Sequence, residues 1–219
     1  FAFKGTTNWR EAEREVRTAT GTTEADGSIR FKTTVRATSG NSGTYALDGR
    51  LEDLKGHPRI DGEITAKVEL ASETFAAAAE PAPVRGKKEA PLIDFKARIA
   101  GDAKGLRVDG ITLAFEHVGQ PQLIAGSATA EWQDNLNVEM ALSSRWLDLD
   151  KVATPPESAG GPFDTARNFI SAMMEALPKN ADSKVTFDLD QASLGGEAVS
   201  GIKLEVARAQ GTLLLNNLR

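Results

Sequence analysis

The stretch that decides the fold is IRFKTTV at positions 29–35, and a closely similar stretch, IDFKARI, occurs at positions 93–99. In both, apolar residues alternate with polar or charged ones, and the same period of two occurs at 185–190 and 202–206. Successive side chains of a β-strand point to opposite faces of the sheet, so this alternation predicts strands with one apolar face and one face in water. The chain is therefore predicted to be mainly β.

Short glycine-containing segments separate the alternating stretches. Examples are the dipeptides at 26–27 and 195–196 and the segment 101–105. Glycine adopts the positive φ that tight hairpin turns need. The long apolar runs expected of parallel strands covered on both faces are absent from the sequence. The pattern therefore predicts an antiparallel sheet.

The similarity between the two stretches extends into an internal repeat. At an offset of 64 residues, the strand predicted at 44–53 matches that predicted at 108–117; beyond a Gly-x-Pro turn in both copies, the strand predicted at 60–70 matches that predicted at 122–132. A shorter third copy, with strands at 185–190, 199–207 and 212–218, has no such turn. We divide the chain into a first β-repeat unit (1–75), a linker (76–91), a second unit (92–152), a loop and helix (153–180) and a third, truncated unit (181–219). Because one meander cannot bury its own apolar face, edge-to-edge stacking predicts an elongated sheet of about ten strands, ~50 Å across.

One segment has helical periodicity instead. Between Phe163 and Leu177, apolar residues recur three and four positions apart, and Pro178 ends the segment. This spacing produces a single apolar stripe and predicts an amphipathic helix. Its polar side has too little positive charge for a helix lying on a membrane surface. We expect the helix to pack on the sheet, with a mobile lid over an apolar trough as the alternative.

The composition excludes several classes of protein. The 219 residues include 26 Lys plus Arg and 31 Asp plus Glu, and the net charge of −5 argues against a nucleic-acid partner. The absence of Cys excludes disulfides, thiolate metal sites and cysteine nucleophiles. No run approaches the 18 apolar residues typical of a membrane-spanning helix. Because the chain begins at Phe1, we expect it to be a piece of a longer protein, with any targeting segment outside it.

Two sets of loop residues have the types found in metal or catalytic sites. His57 and His117 occupy similar positions in the two repeat units, but a zinc site needs three or four ligands. The serine-containing loop at 39–43 has no serine at the corresponding place in the second unit, and a nucleophilic serine needs an oriented base. Both sets are interpreted as turn residues, and no metal or cofactor is predicted.

Two carboxylate pairs have the spacing of residues on one strand face. They are Asp148 with Asp150, and Asp188 with Asp190. Carboxylates two residues apart on a strand share a face, as acid–base pairs and calcium ligands require. Their alternation with Leu and Phe is also what a solvated strand face has, and that interpretation is favoured. We therefore predict that the protein is not an enzyme.

The C-terminal part resembles a known family. The segments VTFDLD (185–190), GIKLEV (201–206) and GTLLL (211–215) follow an order of strand, glycine and alternating strand, and SRWLDLDKV (144–152) precedes a loop and helix. These segments resemble the AsmA family, and the resemblance covers roughly residues 29–219. The motifs are patterns without a catalytic signature, so no catalytic residue is implied.

The resemblance implies a curved β-sheet with an apolar groove, as in the bridge-like lipid transfer proteins of the Gram-negative envelope. It implies a periplasmic location within an inner-membrane-anchored protein, and a role in phospholipid transport and outer-membrane assembly. The ligands would be phospholipid acyl chains, and envelope membranes would be reached through parts of the parent protein outside this chain. The groove candidates are Phe31, Val35, Phe95, Ile99, Phe115, Phe187, Leu189, Leu204 and Leu213.

The residues alone leave a second interpretation open. In a closed sandwich the same apolar side chains would form an ordinary core, and the open sheet edges would recruit another chain by strand addition. The alternative function is therefore that of a structural or protein-interaction module of the cell envelope. A hydrolase or lectin-like protein has no supporting motif. The expected fold is an elongated, curved antiparallel sheet of repeated β-meanders with an amphipathic helix packed on it or capping it.

Overall fold

A computed structural model of the chain describes residues 1–9, 12–37, 43–69, 92–117, 120–133, 135–152, 161–178, 181–209 and 212–218. These residues form one open, curved sheet of twelve strands that lie side by side in chain order. The strands are β1 (Ala2–Trp9), β2 (Ala12–Thr23), β3 (Ile29–Ala37), β4 (Gly43–Glu52), β5 (Arg59–Glu69), β6 (Leu92–Gly101), β7 (Gly105–His117), β8 (Gln120–Glu131), β9 (Asn137–Asp148), β10 (Asp182–Leu194), β11 (Glu197–Ala209) and β12 (Thr212–Leu218). The helices are α1 (Leu149–Val152) and α2 (Pro162–Ala176). The predicted fold, a curved β-sheet with a helix, is confirmed.

Three strands were not predicted from the sequence. Strands β1 and β2 carry few apolar residues, so their alternation is weak. Strand β9 does have the signal, because Val138, Met140 and Leu142 alternate with more polar or smaller residues. The expectation of about ten strands was therefore low by two.

The expectation of a purely antiparallel sheet is wrong at one pair of strands. Strands β9 and β10 are parallel, from Asn137 opposite Asp182 to Asp148 opposite Ser193. A parallel pair needs a crossover of a dozen or more residues, usually helical. The chain between β9 and β10 contains α1 and α2 and supplies that crossover.

The three predicted repeat units are parts of the same sheet. The ladder between β5 and β6 joins the first unit to the second, from Ile60 opposite Gly101 to Glu69 opposite Leu92. The β9–β10 ladder joins the second unit to the third. The predicted linker at 76–91 lies outside the described residues, as does 153–160 of the predicted loop.

The strand register places the apolar positions of neighbouring strands opposite one another. One such row runs from Val35 through Tyr45, Ala66 and Phe95 to Leu113, across five consecutive strands. Residues that are opposed in a ladder share a face of the sheet. A single face, called the apolar face below, therefore collects the apolar side chains of successive strands.

The opposite face is charged and exposed to solvent. Cross-strand ion pairs join Lys32 to Asp48 at 3.2 Å and Lys67 to Asp94 at 3.5 Å. A third joins Lys203 to the carboxylate of Asp188 at 3.4 Å. Exposed pairs of this kind contribute little stability each. Their arrangement shows which face of the curved sheet remains in water.

Glycines in strand interiors allow close packing on the apolar face. Gly49 of β4 lies opposite Gly62 of β5. A Cβ atom at Gly49 would lie 2.7 Å from the backbone oxygen of Asp61 and 3.1 Å from the ring of Phe31. The Phe31 ring therefore lies over a backbone that has no side chain, and this packing depends on glycine.

A cluster of buried apolar side chains lies at the C-terminal end of the sheet. Leu147, Phe187, Leu204 and Val206 are buried there, and the helix packs on them. The ring of Phe169 on α2 is 5.7 Å from the ring of Phe187 on β10. The predicted packing of the amphipathic helix on the sheet is confirmed. Within the described ranges, neither helix has the length and apolar character that crossing a membrane requires.

Candidate functional site

The groove candidates share the apolar face but lie in different surroundings. Phe187, Leu189 and Leu204 belong to the core beneath α2. The other candidates with described side chains lie on β3, β6 and β7, where Ile99 is buried and the rest are half-buried: Phe31, Val35, Phe95 and Phe115. Leu213 pairs with Arg208 on the β11–β12 ladder, and its side chain lies outside the described part of the chain. Of the eight candidates with described side chains, three therefore lie in the core beneath α2, Ile99 is buried elsewhere on the face, and four are half-buried.

The open part of the apolar face extends over most of the sheet. In the part of the chain that the structure describes, the helices contact the sheet mainly at β10 and β11. Phe3 on β1 and Leu215 on β12 share the apolar face and are 52% and 48% exposed. No second sheet is formed by the described residues. The apolar face is thus solvent-accessible at both edge strands, whereas Ala97 and Ile99 in the middle of the sheet are buried.

A cavity of about 300 Å³ lies where α2 crosses β10 and β11. Its helix wall includes Ala166 and Phe169, and its sheet wall includes Phe187 and Ile202. Every residue that lines it is apolar. Phe163, which also lines the cavity, is 91% exposed. The cavity therefore reaches the protein surface near the start of α2.

Asp150 fixes the geometry of this end of the fold. Its carboxylate accepts hydrogen bonds from the backbone N–H groups of Gly195 at 2.6 Å and Gly196 at 2.9 Å. The hydroxyls of Ser193 at 3.0 Å and Thr165 at 3.3 Å also donate to it. Since Thr165 lies on α2 and the other donors on β10 and its turn, one side chain of α1 ties three elements together. We call this arrangement the Asp150 clamp.

The environment of the clamp shifts the ionisation of Asp150. Burial raises the pKa of the Asp150 carboxyl, but the donors from Gly196, Gly195, Ser193 and Thr165 outweigh it and hold the pKa below its ordinary value. Hydrogen bonds to a carboxylate favour its charged form. The clamp is therefore charged at neutral pH, and its role is to position backbone and helix.

The turn that donates to Asp150 needs its two glycines. Leu194 and Glu197 are paired, so Gly195 and Gly196 form a two-residue hairpin loop. Their φ angles are +64° and +81°, the left-handed region that a type I′ turn requires at both positions. A Cβ atom at Gly195 would also overlap the ring of Pro162, the first residue of α2. The hairpin tip and the helix start are thus in contact.

Only one of the two carboxylate pairs lies on a strand face: Asp188 and Asp190 are both exposed on β10, as the favoured interpretation of a solvated face predicts. Asp148 ends β9 and is buried, and its backbone N–H donates to the side-chain oxygen of Gln122 at 3.1 Å. Asp150 belongs to α1 rather than to a strand. Asp190 is exposed on β10, between Leu189 and Gln191, which keep one register with both neighbouring strands.

His57 has a structural role in its turn. Its backbone N–H donates to the carboxylate of Asp53 at 2.8 Å, and this bond is the main cause that lowers the pKa of Asp53. His117 ends β7 opposite Gln120. The described residues contain no group of three or more His, Cys, Asp or Glu that would hold a metal ion. The serine-containing loop at 39–43 lies outside the described residues except for Gly43.

A charged cluster missed from the sequence fixes the β2–β3 turn. The guanidinium of Arg50 donates to Glu24 at 2.9 Å, to Asp26 at 2.5 Å and to the buried hydroxyl of Ser28 at 2.7 Å. A hydrogen bond from Ser28 is the largest cause that lowers the pKa of Asp26. The sequence signals the turn at 26–27 but not Arg50, which reaches it from β4. We call these four residues the Arg50 cluster.

The geometry thus offers an apolar surface and an apolar cavity, both positioned by a rigid hydrogen-bonded framework. Comparison of the chain with protein-family models, with curated proteins and with solved structures found no match.

Proposed function

We propose that the chain is a non-catalytic lipid-binding module in which acyl chains lie against the apolar face. The observation that carries this proposal is the open twelve-stranded sheet with its apolar side chains collected on one face. Half-buried aromatic side chains such as Phe31 and Phe95 occupy that face far from the helix. A surface of this kind on a folded protein is a binding surface or an aggregation hazard.

The energetic basis is the burial of methylene groups. Each methylene removed from water contributes about 0.8 kcal/mol, so a long acyl chain gains substantially from lying along the sheet. Twelve strands at ~4.8 Å spacing extend the face over roughly 50 Å. The ion-paired face, with Lys32–Asp48 and Lys67–Asp94, would stay in water. The headgroup would stay in water at the open edge of the sheet.

The resemblance to the AsmA family supports a more specific proposal. On that basis the module would be periplasmic, within an inner-membrane-anchored protein of a Gram-negative envelope. It would serve phospholipid transport and outer-membrane assembly, and parts of the parent protein outside this chain would contact the membranes. The sequence patterns at 144–152, 185–190, 201–206 and 211–215 are what support this extension.

The alternative is a structural or protein-interaction module of the envelope. One observation favours it, namely that β1 and β12 are edge strands with one neighbour each. An edge strand pairs readily with a strand of another chain. This alternative needs no bound lipid, so lipid content distinguishes the two.

The experiment is native mass spectrometry of protein purified without detergent, with organic extraction of whatever co-purifies. Phospholipid in a reproducible ratio is the expected result. Protein free of lipid would contradict the proposal and favour the interaction module. Exchange with phospholipid vesicles then measures transfer.

A pair of variants on β6 tests the face itself. Phe95→Asp places a charge on the apolar face, whereas Ala100→Asp places the same charge at an exposed position on the other face. We expect Phe95→Asp to lose at least about tenfold in lipid binding, because a buried charge opposes acyl-chain burial, and Ala100→Asp to be unchanged. Phe3→Asp, at an exposed position of the apolar face, is a second variant in case Phe95→Asp does not fold. Leu204 is unsuited to this test, since it lies in the core beneath α2. Equal binding by all three variants would contradict the proposal.

A further inference from the structure

The cavity beneath α2 has a chemical character different from the open face. It is enclosed by the helix on one side and by β10 and β11 on the other, and no polar residue lines it. A water molecule needs polar partners to occupy a cavity, and an apolar cavity of about 150 Å³ stays dry and binds benzene. The ligand that fits such a cavity is hydrocarbon without hydrogen-bonding groups.

We propose that this cavity binds the hydrocarbon end of a single acyl chain, with the polar end outside at the surface near Phe163. The inference deepens the proposed function and rests on it. The volume of about 300 Å³ is about twice that of a benzene-binding cavity, which corresponds to roughly twelve carbon atoms. Phe187 and Leu204 line the cavity and also lie on the apolar face. The cavity is therefore the closed end of that face.

The walls of the cavity are held in place without a ligand. The Asp150 clamp joins α2 to the β10–β11 turn, and Gly195 of that turn lies against Pro162 at the helix start. The tilted ring contact between Phe169 and Phe187, with centroids 5.7 Å apart, holds the other side. A site that is ordered before binding loses less entropy when the ligand enters. Phe163, exposed at the start of α2, marks the side from which a chain enters.

The experiment uses cis-parinaric acid, whose fluorescence rises when it is buried, displaced by saturated fatty acids of known length. In Ala166→Phe, an aromatic ring from the helix wall fills the cavity. We expect the affinity for the probe to fall at least about tenfold, since each methylene left in water costs roughly fourfold. Ser171→Phe is the matched control, because Ser171 is exposed on the same helix. Val199→Phe fills the cavity from the sheet wall and serves if Ala166→Phe does not fold.

The dependence on chain length gives an independent readout. Affinity should rise roughly fourfold for each methylene and level off near twelve carbons, where the cavity is full. If dodecanoate displaces the probe and a lysophospholipid with the same chain does not, the cavity binds a free fatty acid. If the lysophospholipid displaces the probe equally well, the cavity binds the tail of a phospholipid. A rise in affinity that continues well beyond twelve carbons overturns the inference, because the chain then lies on the open face.

Two outcomes separate this inference from the proposed function. If neither cavity-filling variant weakens probe binding while Phe95→Asp does, the cavity is not the site and the open face is. If the cavity-filling variants lose the probe but Phe95→Asp keeps it, the cavity inference stands by itself. Wild-type protein that has been stripped of co-purified lipid and still does not bind cis-parinaric acid also overturns the cavity inference.

Discussion

The Asp150 clamp makes a sharp prediction about stability. Asp150→Ala removes an acceptor of four hydrogen bonds, from Gly195, Gly196, Ser193 and Thr165. The two glycine N–H groups are exposed and regain water, so each bond is assigned the low end of the usual range, about 0.5 kcal/mol. The expected loss in the free energy of unfolding is therefore about 2 kcal/mol at neutral pH.

The assay is equilibrium unfolding in urea, followed by circular dichroism. With a slope of about 2 kcal/mol per molar, the midpoint of Asp150→Ala should fall by about 1 M. Asp190→Ala is the control, since Asp190 is an exposed carboxylate on the neighbouring strand. Its midpoint should change by no more than about 0.5 kcal/mol in equivalent free energy. Equal losses in the two variants would refute the clamp.

The pH dependence adds a second check on the same residue. The pKa of Asp150 is lowered in the folded protein, so its charged form is stabilised by folding. That stability is fully present above the unfolded pKa, about 3.9, and is lost as the pH falls through the lower folded pKa. The difference between wild type and Asp150→Ala should therefore shrink in strong acid. A difference that stays at full size there would show that the carboxylate charge is not responsible.

Two further variants test the framework around the sheet. Gly195→Ala should destabilise the fold by about 1 kcal/mol or more, because alanine is strained at φ +64° and its Cβ overlaps Pro162. Gly21→Ala is the control, since no atom lies nearer than 3.8 Å to its added Cβ. Equal losses of Tm in the two variants would contradict the argument. Arg50→Ala should lower the urea midpoint more than Lys32→Ala, because Arg50 donates hydrogen bonds to three side chains and Lys32 to one exposed carboxylate. The difference between the two urea midpoints should become smaller in high salt, which screens exposed charges. A fall in midpoint for Lys32→Ala as large as that for Arg50→Ala would contradict a stabilising role of the Arg50 cluster.

The strands with strong alternation were predictable because the signal is local. In β3, β6 and β10, period-two spacing identifies the strand and the face it buries without knowledge of its partners. Strand β2 has Arg14 and Thr18 on that face, so its place in the sheet depends on pairing with β3 rather than on its own pattern. Where the local pattern is weak, pairing with the neighbouring strand determines whether a segment forms a strand.

The parallel pair and the clamp were not predictable for the same physical reason. Whether β10 returns beside β9 in parallel depends on the path of the crossover through α1 and α2, and no short window of sequence encodes that path. The fold brings the Gly195 N–H within 2.6 Å of the Asp150 carboxylate, although the two residues are far apart in the sequence. From the sequence alone, an aspartate that accepts structural hydrogen bonds looks the same as an aspartate exposed to water.

By itself, the sequence determined that the protein is mainly β with one apolar face, because alternation along a strand assigns each side chain to a face. Only the tertiary structure decided which part of that face is covered. Phe187 and Leu204 are buried because the crossover places α2 on β10 and β11, whereas Phe31 and Phe95 have similar sequence surroundings and remain half-exposed. Burial depends on what packs from across the fold, and that depends on contacts between residues far apart in the chain.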